Sequence, residues 1–237
     1  MKIAVAMVLL LLVGAAAAIF FPVFIGNKPP VDGAQVSTGA YQVVDGFVSA
    51  FVLVAGDGQV VLIDCGNDSE AGAIELSLRA KFLKPESVKA IFLTHGHADH
   101  TAGCHRFRNA QIYSLEGDVK LAAGLERAKG PVSSKLGMPS EKAAGVTRAL
   151  ADGESVMVGS LSVKAYAVPG HTAGSAAYLS NGVLYLGDVA TARSDGVTLK
   201  GAPWAFSDDA DLSAASVKKL YTRLKAERAT VGKLAFG

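Results

Sequence analysis

Thr94-His95-Gly96-His97-Ala98-Asp99-His100 directly follows the apolar run Ala90-Ile91-Phe92-Leu93, and this junction decides how the chain is read. A short apolar run bounded by polar residues reads as a buried strand. Three histidines and one aspartate therefore fall within six residues at the end of a central strand, where layered α/β folds place their chemistry. Imidazole and carboxylate are ligands of borderline divalent metals such as zinc. A chance cluster of surface polar residues would lack both the strand ahead of it and the partners found downstream.

Working outward, Phe47 to Val54 and Gln59 to Asp64 read as strands around Gly56-Asp57-Gly58, a hairpin signal. The second ends in Asp64; alone, such an aspartate is a turn former. Ala71 to Leu83 has helical composition, with Ile74, Leu78 and Phe82 on one face and Pro85 beyond its end. A short helix is expected from Ala98, a strand at Gln111 to Ser114, and a helix from Glu116 to Ala128 that stops at Gly130-Pro131. Downstream, Ser155 to Val158 and Leu161 to Ala167 flank the two-residue turn Gly159-Ser160, and the second strand runs into Pro169-Gly170-His171-Thr172. Ala176 to Leu179 and Val183 to Leu186 flank Asn181-Gly182, and that hairpin ends in Gly187-Asp188. Strand and helix alternate as an α/β architecture requires. Ser213 is expected to cap a helix with Val217, Leu220, Tyr221 and Leu224 on one face.

His95-x-His97-x-Asp99-His100, after an apolar strand and before Thr101-Ala102-Gly103, resembles the signature of the metallo-β-lactamase-fold hydrolases. Pro-Gly-His-Thr after a strand is a second mark of that family, and the likeness runs from about Tyr41 to the end of the chain. The resemblance implies a four-layer αββα sandwich with metals between the ends of two sheets. It implies that His95, His97 and His171 share one metal, that Asp99 and His100 hold a second, and that Asp188 bridges the two. It gives Asp64 a supporting role behind the ligands and Asp99 a further catalytic one. Zn²⁺, as one or two ions, is the implied cofactor. The implied reaction is attack of a metal-activated hydroxide on an ester, thioester, lactone or amide. Alternatives stay open: an iron-dependent persulfide-type dioxygenase using His95, His171 and Asp188, or a membrane-tethered binding module that has lost its second metal. Trp204, the only tryptophan, is either a substrate-cleft residue or packing under a loop. No histidine follows His171, whereas the family commonly carries one after a last strand such as Lys233 to Gly237. The chain is therefore read as cut short at its C-terminus.

A net charge of +2 gives no electrostatic footprint for nucleic acid, so a small-molecule substrate is expected. Cys65 and Cys104 form no Cys-x-x-Cys pair; the reading favours free thiols, with pairing as the alternative in an oxidising compartment. Residues 1–26 carry no charge from Ile3 to Gly26, which as a helix would span about 36 Å. This segment is read as a membrane anchor with the domain on the exported side. The rival is a signal peptide cleaved near Ala15-Ala16-Ala17-Ala18, leaving a secreted protein. Residues 27–39 read as a linker and 40–237 as the domain. Oligomeric state has no signal in the sequence.

Overall fold

Strands buried on both faces need a covering layer on each side, and Val60-Val61-Leu62-Ile63 is such a strand. A computed structural model of the chain describes Gly14 and residues 25–136 and 143–237. Seven strands form one sheet in sequence order: β1 (Gln35–Ser37), β2 (Ala40–Asp45), β3 (Val48–Val54), β4 (Val60–Ile63), β5 (Val88–Phe92), β6 (Gln111–Leu115) and β7 (Arg148–Leu150). Pairing is antiparallel from β1 to β4 and parallel from β4 to β7.

The second sheet contains β8 (Ser155–Val158), β9 (Leu161–Ala167), β10 (Ala176–Ser180), β11 (Val183–Tyr185) and β14 (Lys233–Ala235), in the order β14-β11-β10-β9-β8. A small hairpin, β12 (Ala190–Ala192) with β13 (Leu199–Gly201), stands apart from both.

Side-chain alternation sets the layers. Val61, Ile63, Phe92 and Tyr113 from the first sheet meet Val163, Ala165, Tyr178 and Tyr185 from the second in the central core. On the outer face of the first sheet, Val60, Leu62 and Ile91 pack with Ile74 and Leu78 of α1 (Gly72–Arg79). On the outer face of the second, Tyr166, Ala177 and Leu184 pack with Leu220 and Leu224 of α5 (Ala210–Ala226). The result is an αββα sandwich. Three shorter helices, α2 (Ala98–Thr101), α3 (Val119–Ala122) and α4 (Ser133–Leu136), also lie among the described residues.

Several expectations are corrected. Residues 27–39 are not a bare linker: they include β1, and Val36 belongs to the central core. Helix α1 stops at Arg79, the chain reverses at Phe82 with φ 58°, and the Phe82 ring is left in water while Leu83 turns inward. The helix expected from Glu116 to Ala128 is only a 3₁₀ turn, Glu116–Asp118, and α3, because Gly124 adopts φ 68° and ends it. Asp209, not Ser213, caps α5: its carboxylate accepts the Leu212 N–H at 2.8 Å, and Ser213 is buried within the first turns. Cys65 and Cys104 are joined in a disulfide with Cα atoms 5.2 Å apart, so the free-thiol reading fails. The end of β4 and the helical segment before Cys104 are held together, since Cys65 N–H donates to His100 O at 2.8 Å. The anchor-or-signal reading falls on residues 1–26, which lie outside the described residues except for Gly14, Ile25 and Gly26. Among the described residues no helix is long and apolar enough to cross a membrane.

Candidate metal centre

Four strands end at the same edge of the sandwich and deliver the polar residues. β4 leads into Asp64, β5 into Thr94 to His97, β9 into the loop carrying His171, and β11 into Asp188. The two sheets are laced together at this edge: Ala176 N–H donates to Thr94 O at 2.7 Å, and the Tyr178 hydroxyl to Leu93 O at 2.8 Å. Two glycines permit the crossing. A Cβ at Gly96, between two of the histidines, would lie 2.7 Å from Ala122 N on α3. At Gly170, φ is 133° and a Cβ would lie 2.1 Å from Ser213 N, so the His171 loop passes directly against the start of α5.

The ligand atoms of His95, His97 and His171 all lie within 4.8 Å of one another, as do those of His95, His100 and Asp188. The buried Nε2 atoms of His95, His97, His100 and His171 have no hydrogen-bond partner. Buried polar atoms are nearly always satisfied, so four orphans distributed over two adjoining groups that share His95 form donor sets that fit cations. Asp188, partly open to the cavity, sits with Oδ1 3.5 Å from His100 Nε2 and Oδ2 4.0 Å from His171 Nε2. Asp99 stands on α2 in the cavity wall, and its carboxylate joins neither cluster. The second group therefore consists of His95, His100 and Asp188 instead of Asp99 and His100. Trp204 is exposed and absent from the cavity wall, while its neighbours Pro203 and Phe206 line it.

The ring orientations follow from single-proton arithmetic. Thr94 has one hydroxyl proton and gives it to Asp64 Oδ2 at 2.7 Å, so at 3.1 Å His95 Nδ1 must donate to Thr94 Oγ1. Ser207 gives its proton to Pro203 O at 2.8 Å, so His171 Nδ1 donates to Ser207 Oγ at 3.0 Å. His100 Nδ1 donates to the Asp64 carboxylate at 2.9 Å. Each ring thereby carries its proton on Nδ1 and turns Nε2 inward, the arrangement that outer partners impose on metal-binding imidazoles.

Electrostatics separates the histidines. Burial, followed by the nearby imidazoles, holds His95 well below its ordinary value, and burial first of all pushes His171 down to about 3. His97 is also lowered by burial, against the opposing pull of Asp99. For His100, burial opposes protonation, but the Asp188 and Asp64 carboxylates outweigh it and raise the group well above its ordinary value. Asp188 is held low: burial alone would raise it, and His100 with the other rings prevails.

A further carboxylate ties the two ligand loops together. Asp118 is buried and accepts Gly96 N–H at 2.7 Å, the Thr172 hydroxyl at 2.6 Å and Gly174 N–H at 2.6 Å. One side of this clasp is the His95–His97 loop and the other the loop after His171. Sequence reading absorbed Asp118 into a helix and passed over Thr94, Ser207 and Thr172. Asp118 and Ser207 sit in no motif, and Thr94 and Thr172, though inside the quoted stretches, show no role there, since each acts on a residue distant in the chain or on its own neighbour's ring.

The family model of the metallo-beta-lactamase superfamily matches residues 43–232. The chain belongs to this superfamily. Among curated relatives, a hydroxyacylglutathione hydrolase of Citrobacter koseri is 30% identical over 142 residues, covering 58% of this chain and 45% of that protein. A ribonuclease of Thermus thermophilus is 34% identical over 172 residues, covering 68% of this chain and 38% of that protein. The chain thus spans about half the length, or less, of the curated relatives it matches. Among solved structures of the superfamily, a subclass B3 metallo-β-lactamase from a soil metagenome library is 26% identical with TM-score 0.65, covering 89% of this chain and 80% of that one. A metallo-β-lactamase from Novosphingobium pentaromativorans shares the fold at 21% identity and TM-score 0.65, covering 89% and 77%.

Proposed function

We propose that the chain is a metal-dependent hydrolase that cleaves an ester, thioester, lactone or amide bond in a small molecule, with one or two zinc ions as its metal. What carries the reading is the convergence of four partnerless, buried imidazole Nε2 atoms beside the Asp188 carboxylate. His95, His97 and His171 would hold one ion, and His100 with Asp188 a second, His95 lying beside both groups. Zinc, when bound, lowers the pKa of water towards about 7 and polarises a carbonyl.

The protein's own groups do the rest. Thr94, Ser207 and Asp64 keep His95, His171 and His100 in one tautomer, and Asp118 sets the spacing of the two loops. Asp99, at the cavity wall and close enough to pull on His97, accepts the proton leaving water and returns it to the departing atom. No side-chain nucleophile is required, and both cysteines are engaged in a disulfide.

The relatives described above are named as hydrolase, lactamase and ribonuclease; the iron dioxygenase alternative draws no support from them. Disulfides persist in oxidising compartments, which supports a domain on the exported side. An N-terminus found near Ile19 in the mature protein would mean secretion.

The test is metal analysis together with turnover on a panel of thioesters, lactones, β-lactams and, given the Thermus relative, RNA. His97→Ala should lose bound zinc and hydrolysis together. Wild-type turnover and metal content in that variant would refute the ligand assignment.

A further inference from the structure

The cleft in front of the histidines encloses about 1200 Å³, above the roughly 300–1,000 Å³ of ordinary small-molecule pockets. Its wall includes two hairpin tips, each carrying a large apolar side chain that is more than half exposed. Phe47, at the β2–β3 turn, is 57% exposed, and Val197, at the β12–β13 turn, is 85% exposed. Val31 and Leu199, also exposed, continue the same wall. Exposed apolar groups gathered along one cleft mark a ligand surface.

These tips are braced. Asp45, before the first tip, accepts Asn67 N–H and Asp68 N–H, both at 2.7 Å. Asp195, in the second, accepts Val197 N–H and Thr198 N–H, both at 2.8 Å. The β12–β13 hairpin is also stitched to the incoming chain, Lys28 N–H donating to Ala192 O at 2.9 Å and Ser194 N–H to Gly26 O at 2.7 Å. A rim held this way needs little reordering to receive a ligand.

The wall also has a sign. Apart from Asp99 and Asp188, which face the metal centre, the one acid of the wall among the described residues is Glu126, paired with Lys120 at 3.7 Å. Against these stand the cations Lys28, Arg127, Lys200 and Lys233. Lys200 is held at the wall by a hydrogen bond from its Nζ to Asn27 Oδ1 at 3.3 Å.

From the apolar tips and the cationic wall we infer that the cleft takes an anionic amphiphile: an ester or thioester with an apolar acyl chain and a leaving group bearing a carboxylate or phosphate. The inference rests on the hydrolase reading and names its substrate class. In the reaction, water adds its oxygen to the acyl carbon, the C–S or C–O bond breaks, and the departing sulfur or oxygen takes the proton. The products are a fatty carboxylic acid and an anionic thiol or alcohol.

Matched thioesters test it on the zinc-loaded protein: octanoyl or acetyl groups on 3-mercaptopropionate, on neutral 2-mercaptoethanol, or on 2-mercaptoethyl phosphate. Octanoyl should exceed acetyl in kcat/KM by roughly tenfold or more, and the anionic leaving groups should exceed the neutral one. The better of the two anions identifies carboxylate or phosphate. Phe47→Ser with Val197→Ser should shrink the octanoyl-to-acetyl ratio, and Lys28→Gln with Lys200→Gln the anionic-to-neutral ratio. Turnover without these preferences, or ratios untouched by the variants, overturns the inference and leaves the hydrolase reading standing. If no thioester turns over, calorimetry with the stable thioether S-octyl-3-mercaptopropionate decides. Binding tighter than that of S-octyl-2-mercaptoethanol and S-ethyl-3-mercaptopropionate, weakened by the lysine substitutions, upholds the inference against a failed hydrolase reading. Absence of such binding overturns the inference as well.

Discussion

Replacing Asp118 by alanine removes the carboxylate that clasps the two histidine loops, and the structure sets the size of the effect. Three donors point at Asp118. The Thr172 hydroxyl has a second partner, Ser175 Oγ at 2.7 Å, and can turn to it. The Gly96 and Gly174 N–H groups would be left buried without acceptors, at about 1–3 kcal/mol each. Part of that is offset, because burial already pushes the Asp118 carboxyl above its ordinary value and the charge is held at a cost. A net loss of about 3 kcal/mol follows, which for a domain of this size lowers Tm by roughly 6–12 °C. Zinc affinity should fall by about 10–100-fold, as for other partners that orient ligands from behind. Thermal melts of metal-free protein and chelator competition on folded protein measure the two effects separately. Unchanged zinc affinity in a folded but destabilised variant would refute the claim that the clasp sets ligand spacing. An unchanged Tm would refute the hydrogen-bond accounting itself.

Ser207→Ala removes the acceptor that holds the His171 ring; zinc affinity should drop about tenfold or more with little change in Tm, and chelator competition reads it. Replacing both Cys65 and Cys104 by alanine opens a link spanning 39 residues, which by chain entropy costs about 4 kcal/mol. Reducing agent should then lower the wild-type Tm and leave the variant's unchanged. Glu227 accepts from Lys164, Tyr166 and Arg223, and these bonds, Lys164 first, hold it down to about 2 from an ordinary 4.5. A carboxylate lowered by folding contributes stability that is present above its unfolded value and lost as pH falls through the folded one. Glu227→Gln should therefore flatten the decline of Tm between about pH 4.5 and 2, and matching wild-type and variant slopes in that window would contradict it.

Local signals carried far in this chain. Asn181-Gly182 and Gly159-Ser160 announced their hairpins because a two-residue turn has few ways to close. The cluster from His95 to His100 was legible because its ligands sit next to one another after an apolar strand. Where local signals failed, a contact from elsewhere had won. Phe82 continues the apolar stripe of α1, yet a backbone reversal carries it outside. Composition suggested a helix to Ala128, but the chain there is shaped by the Asp118 clasp and the turn at Gly124.

By itself the sequence determined the alternation of buried strands and helices, the family and the histidines and Asp188 that the structure brings together. These are properties of neighbours along the chain: periodicity, turn chemistry and the spacing of one motif. Tertiary structure alone decided where His95, His100 and His171 carry their protons, that Asp99 stands aside from both clusters, that Cys65 and Cys104 pair, and that Asp118 joins the loops. Each of these depends on distances across space of a few ångströms between residues tens of positions apart. Hydrogen bonds and ligand geometry fall off steeply over that range, so no reading along the chain could supply them.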